Sequence, residues 1–170
     1  MCHVVFRNQI QTCEILDLFD KGKKDGIQVD MNVIAGNGLV GIVSEVGESY
    51  AKVRAIIDDK SNVSAMFQDT GETCIVKGNM ESIYKGYIDI EMISNTAKIK
   101  DGDEVVTSHV SDKFLQGLSV GYVKDIVSDP SSQTKTAHLI PSVNFDQLEN
   151  VLVIMQLKDN SEIKDIKNYD

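Results

Sequence analysis

Tryptophan is absent from this 170-residue chain, which has two prolines, three cysteines and 6% aromatic residues. With so few prolines, extended segments meet few forced breaks. Three cysteines, Cys2, Cys13 and Cys74, leave at least one thiol unpaired within the chain. That disfavours a secreted disulfide scaffold and favours a reducing compartment or incidental thiols. Basic residues are short too: 17 Lys and Arg face 26 Asp and Glu, a formal net charge of −9. Such a field repels phosphate backbones, and the short basic cluster Lys21, Lys23 and Lys24 is flanked by Asp20 and Asp25. Nucleic acid is not an expected partner. No apolar run approaches the ~18 residues of a membrane span, and the opening "MCHVVFRNQI" has no signal-peptide pattern.

What is present is ordinary for a soluble globular protein: 42% hydrophobic and 25% charged residues. A chain of this length buries about 70% of its unfolded surface, so it needs no metal or disulfide staple. Strand signals dominate. In "GYIDIEMI", Ile88, Ile90 and Met92 alternate with Asp89 and Glu91; in "AKVRAII", Ala51, Val53, Ala55 and Ile57 alternate with Lys52, Arg54 and Ile56. Shorter apolar runs lie near Ile15 and at 73–76, 103–108, 119–127, 136–140 and 150–155, with turn formers between them. "IDDKSNVSA" reads as a strand end and a loop. One short helical turn is expected in "SVNFDQLENV", where Asn144 can cap with Gln147 three residues on. The tail 158–170 is polar and sign-alternating, as frayed ends are.

Two cassettes recur. Lys24-Asp25-Gly26 returns as Lys100-Asp101-Gly102, and "VGIVSEV" (40–46) returns as "VGYVKDI" (120–126). Two similar small β-units are implied, although short β-segments also match by chance. The recurrence bears on "VIAGNGLVGIV", where Gly36, Gly38 and Gly41 spell the G-x-G-x-x-G of a dinucleotide-binding loop, with Asp58 and Asp59 downstream. That fingerprint needs a helix after its third glycine. Ile42, Val43, Ser44, Glu45 and Val46 follow instead, then Gly47, and too few residues precede the next strand for a crossover helix. Gly36-Asn37-Gly38 reads better as a hairpin turn, with Asn-Gly supplying two positive-φ positions, and Gly41 as a bulge or tight bend.

No other chemistry assembles. Ser108, His109 and His138, with Asp103 or Asp125, are the raw material of a nucleophilic triad, yet no strained nucleophile turn surrounds any serine. Cys2, His3, Cys13, Cys74, His109 and His138 match no chelating spacing. Asp58-Asp59 is a turn rather than a dyad, because neighbours on a strand face opposite ways. No catalytic, cofactor or metal residue is assigned.

Several separated blocks then resemble one family. Gly26 with Gly38-Leu39-Val40-Gly41, Gly102-Asp103 with Val105-Val106-Thr107-Ser108, Phe114 with Gly117-Leu118 and Val120-Gly121, and Pro141 through Leu152-Val153-Ile154 resemble the extracytoplasmic domain of the bacterial rod shape-determining protein MreC. The resemblance covers about residues 18 to 154. It departs at His109 and Leu115, where the family more often has glycine and proline, so the shape of that loop is not carried over. Gly26, Gly38, Gly41, Gly102, Gly117 and Gly121 are expected to be structural.

The resemblance implies an all-β fold of two small, about six-stranded β-barrel subdomains, consistent with the recurrence. They are expected at about 1–97, with possible completion by C-terminal strands, and 98–157, followed by the tail 158–170. It implies a non-catalytic scaffold of cell-wall elongation on the outer face of the cytoplasmic membrane, anchored by an N-terminal helix that this chain lacks. The chain would then be the soluble part of a longer protein. The implied partners are a class B penicillin-binding transpeptidase, MreD, MreB indirectly, and further copies in a homodimer or filament. Two alternatives stay open: a hydrolase on a chymotrypsin-like double barrel, and a small-ligand module using the groove between barrels. For partner contact the candidates are Phe114 and Leu115 in one loop, and Tyr84 and Tyr87 in "MESIYKGY". Burial of Phe114 as a barrel plug is the favoured reading.

Overall fold

The computed structural model describes residues 2–5, 20–128, 131–148 and 150–159. The strand expected near Ile15 and nearly all of the tail lie outside them. Among the described residues the chain is almost entirely β: β1 (Cys2–Val5), β2 (Asn32–Ala35), β3 (Gly38–Val46), β4 (Ala51–Ala55), β5 (Asn62–Phe67), β6 (Thr73–Lys77), β7 (Ile88–Ser94), β8 (Glu104–Thr107), β9 (Ser119–Ser128), β10 (Thr134–Pro141) and β11 (Val151–Ile154). One short helix, α1 (Met80–Tyr84), precedes β7, and 3-10 turns cover Lys23–Asp25 and Phe145–Gln147. The second turn is the expected one, with the Asn144 side chain accepting from Asp146 N at 3.1 Å.

Strands β9-β10-β7-β6-β5-β8 run antiparallel in that order, and β8 pairs back onto β9, closing a six-stranded barrel. The other half has five strands in the order β1-β11-β2-β3-β4. A single parallel pair, Gly38 with Ser119, joins the two. The fold is thus all-β, with one closed barrel of six and a companion of five among the described residues. Its first and last strands, β1 and β11, pair with each other, so both ends of the chain build one half. The division expected at 97/98 falls inside the closed barrel, between β7 and β8. The strands on its two sides are direct neighbours in the β5–β8 and β7–β10 pairs.

Strand β3 explains why one segment was so apolar. Val40 and Val43 enter the core of the five-stranded half, with Val33, Val53 and Val153. Leu39 and Ile42 belong to the barrel's core, with Phe67, Ile88, Ile90 and Leu139. A strand buried on both faces loses its polar alternation. The same packing buries Ile56, which the alternation of β4 places on the solvent side.

Two local readings are corrected and one element is added. Met92 does not share the inner face with Ile88 and Ile90; it is 67% exposed at a φ of 60°. The register slips there, since Ile90 faces Ala137 while Ile93 faces Lys135, and the bulge hands the inner position to Ile93. "MESIY", given no element by the sequence pattern, is helical, because the Asn79 side chain accepts from Glu81 N and Ser82 N and starts a helix. And β5 begins at Asn62, within the stretch read as a loop. In the β2–β3 hairpin the loop is Gly36-Asn37, and only Gly36 has positive φ. Gly38 is small for another reason: a β-carbon there would lie 2.4 Å from Val143 Cγ2.

Of the two cassettes, one shares a setting. Val43 N donates to Met31 O at 2.9 Å and Val43 O accepts from Asp30 N; Val123 N donates to Asp103 O at 2.9 Å and Val123 O accepts from Gly102 N. The Lys-Asp-Gly pair does not match in this way. Gly26 caps a 3-10 turn, and the residue answering to Gly102 is Asp30, itself at a φ of 70°.

Candidate interaction surface

Asn32, Ile42 and Arg54 are successive cross-strand partners on β2, β3 and β4, so they share the face that meets the barrel. Asn32 is 1% exposed. Its Oδ1 accepts from Leu115 N at 2.7 Å, and its Nδ2 donates to Lys113 O at 3.0 Å and to Asp30 O at 3.3 Å. A buried amide needs such partners. Here they tie the five-stranded half to the loop between β8 and β9.

The loop holds itself as well. Thr107 Oγ1 donates to Leu115 O at 2.5 Å and accepts from Leu118 N at 2.8 Å. Ser111 Oγ accepts from Phe114 N at 3.0 Å, and Gly117 N donates to Thr107 O. Phe114, 6% exposed, sits in the barrel's core cluster, and Leu115 is half-buried. Tyr84 stands on α1, 70% exposed. Tyr87 stacks on His138 with ring centroids 3.8 Å apart and planes 24° from parallel. The four candidate contact residues therefore do not form one anchor: two belong to the clamped loop and two to the α1–β7 side of the barrel.

Two concavities flank these places. A cleft of about 480 Å³ opens between the halves, lined by Ile42 and Phe114, by Arg54 and Lys60, and by Lys113, 3.4 Å from Asp30. A groove of about 340 Å³ runs between α1 and the turn after β10, past Ile83, Ile140 and Phe145. Beside it the exposed cross-strand pair Tyr122 and Ile140 extends the apolar surface.

Some charges elsewhere are paired locally. Hydrogen bonds from Lys52 at 3.0 Å and Tyr50 at 3.1 Å hold the Glu45 carboxyl below its ordinary range. Glu81, 2.9 Å away, raises the Lys85 ammonium. Burial pushes the Cys74 thiol up to about 12. Among the described residues no group of three or more His, Cys, Asp or Glu is placed to hold a metal. Ser108 is buried, its Oγ accepting from Val110 N at 3.3 Å, while the adjacent His109 is exposed. His138 Nδ1 lies 3.8 Å from Asp125 Oδ2.

Sequence reasoning missed Asn32, Arg54 and Lys60. The first had a signal: a lone amide inside the apolar run "MNVIA" is a polar group that burial must satisfy. The two cations had none, since their proximity arises only when the halves pack.

Residues 5–155 match the family model described as "Rod shape-determining protein MreC, barrel core". The cell shape-determining protein MreC of Listeria monocytogenes is 30% identical over 159 residues, covering 89% of this chain and 51% of that protein. That of Haemophilus influenzae is 25% identical over 163 residues, covering 95% and 44%. The chain thus spans about half the length of these curated relatives. Among solved structures, MreC of Listeria monocytogenes, 28% identical, superposes with a TM-score of 0.80 over 93% of this chain and 75% of that one. A complex between penicillin-binding protein PBP2 and MreC from Helicobacter pylori shares the fold at 18% identity, with a TM-score of 0.67 over 90% and 96%.

Proposed function

The chain belongs to the family of rod shape-determining protein MreC, and from that premise we propose that it works as a non-catalytic scaffold of the cell-wall elongation machinery. It stands on the outer face of the cytoplasmic membrane and holds a class B penicillin-binding transpeptidase in place. The observation that carries this reading is the pairing of family and fold: an MreC of the same architecture forms a complex with PBP2 in Helicobacter pylori. A β-barrel suits the task, since closure leaves few strand edges and hands recognition to loops, rims and clefts. The same reading places MreD and, through membrane partners, MreB in the assembly, and has copies of the chain associate as dimers or filaments.

Titration of this chain with the ectodomain of a class B transpeptidase from the same cell tests the reading. Saturable binding is expected. No binding at about 50 µM, a free energy weaker than about −6 kcal/mol, contradicts it.

A further inference from the structure

The cleft between the two halves combines features that point to one kind of occupant. Part of its lining is apolar, made by Ile42, Phe114 and the exposed Val29. The lining also carries three cations, Arg54, Lys60 and Lys113, and two carboxylates, Asp30 and Asp112, in a chain whose net charge is −9. Lys113 is spent on Asp30 at 3.4 Å. The Arg54 guanidinium and the Lys60 ammonium enter no salt bridge among the described residues, although the Lys60 backbone N–H donates to Asp58 Oδ1 at 2.7 Å. Among the lining side chains cations thus outnumber carboxylates by three to two, in a chain where carboxylates dominate.

Position strengthens the case. Arg54 is the cross-strand partner of Ile42, so a guanidinium stands directly beside the apolar lining. The next position of the same row is Asn32, whose amide is bonded to Lys113 and Leu115 of the β8–β9 loop and to Asp30. The loop that brings Lys113 and Phe114 to the cleft is thus held by hydrogen bonds. A guanidinium beside an apolar lining matches a carboxylate adjacent to an aliphatic or aromatic side chain, bound bidentately at the first and by burial at the second.

We infer that this cleft docks an acidic, apolar peptide segment of a partner protein, with Arg54 and Lys60 pairing its carboxylates and Ile42, Phe114 and Val29 receiving its hydrophobic side chain. The inference rests on the scaffold reading only in taking the occupant to be a protein. Charge complementarity of this kind governs encounter and specificity more than bulk affinity.

The test uses the whole chain, isotopically labelled, with acetyl-Glu-Leu-Glu-Leu-amide as the probe and its glutamine counterpart as control. Saturable shifts of the Arg54 side-chain resonance and of the Phe114 amide are expected with the glutamate peptide. Binding should weaken about tenfold or more with the glutamine peptide and in an R54E/K60E double variant. Raising salt from about 50 to about 300 mM should weaken it several-fold. Both substituted side chains are exposed, so the variant keeps its fold. V29N, which leaves the charges alone, should also lose several-fold. Absent saturation, equal binding of the two peptides, or undiminished binding by R54E/K60E overturns the inference. So does equal binding of acetate alone, which marks a simple anion site.

The scaffold reading is scored separately. If the peptide series behaves as expected but the transpeptidase ectodomain does not bind the wild-type chain, the cleft stands and the scaffold reading falls. If the ectodomain binds wild type and R54E/K60E alike and the peptides do not discriminate, the cleft falls and the scaffold reading stands.

Discussion

Gly41 and Gly121 lack side chains because a neighbouring carbonyl stands where one would be. A β-carbon would lie 2.1 Å from Arg54 O at the first and 2.2 Å from Ile140 O at the second. Backbone cannot move aside as a side-chain tip can, so G41A and G121A should each cost about 1–3 kcal/mol, read as lower urea midpoints. Gly71 is the contrast: φ is +71° with nothing within 4 Å, so G71A should cost only the roughly 1–2 kcal/mol of left-handed backbone. The matching Val-Gly segments were legible in the sequence, but the letters do not tell a tight approach from a positive φ. Cys74 yields a second prediction at this scale. Burial raises its pKa from 9.0 to about 12, so the native thiol stays neutral and should resist alkylation at pH 8, reacting only in denaturant. The folded state holds that proton more tightly than the unfolded one. Stability from this group is therefore full below pH 9 and falls as pH rises toward 12. Alkylation at equal rates in both states would contradict the burial.

The β8–β9 loop shows how elements are coupled. Three hydrogen bonds from Asn32 leave the apolar strand β2 for the loop and for Asp30. N32A leaves two part-buried loop groups, Lys113 O and Leu115 N, without their partner. It should cost about 2–4 kcal/mol, since each buried unsatisfied group costs roughly 1–3 kcal/mol. N32D keeps the acceptor and buries a charge, so it should be at least as damaging. A loss under about 0.5 kcal/mol, the scale of an ordinary surface change, would show that the clamp is not structural. Strands with clean alternation, such as β4 and β6, were readable from pattern alone. Helix α1 was not, because five residues are too few to establish a period and its other signal is one capping residue, Asn79. The bulge at Met92 was illegible for a related reason: alternation continues across it in sequence while the register slips in space.

At the scale of the whole molecule, chain order and spatial order diverge. The closed barrel is built from 62–141, and the five-stranded half from the segments before and after it, with β1 on β11. The recurrence suggested two units in tandem, and nothing in local pattern reveals that a terminal strand returns to an early one. The family was legible in part because glycines of its motif blocks, such as Gly41, Gly102 and Gly121, sit at a turn or a tight approach, where few residues fit. The cleft was not, because it exists only between halves. On the scaffold reading this molecule works by contact, not by reaction. Its two described imidazoles, His109 and His138, are of the side-chain type most often used in general acid–base chemistry. The direct measurement replaces both by alanine in the cell's own copy of the gene, with protein level and fold verified, and follows cell shape. Cells that keep their shape and growth rate are the predicted result; rounded cells with normal amounts of folded protein would contradict it.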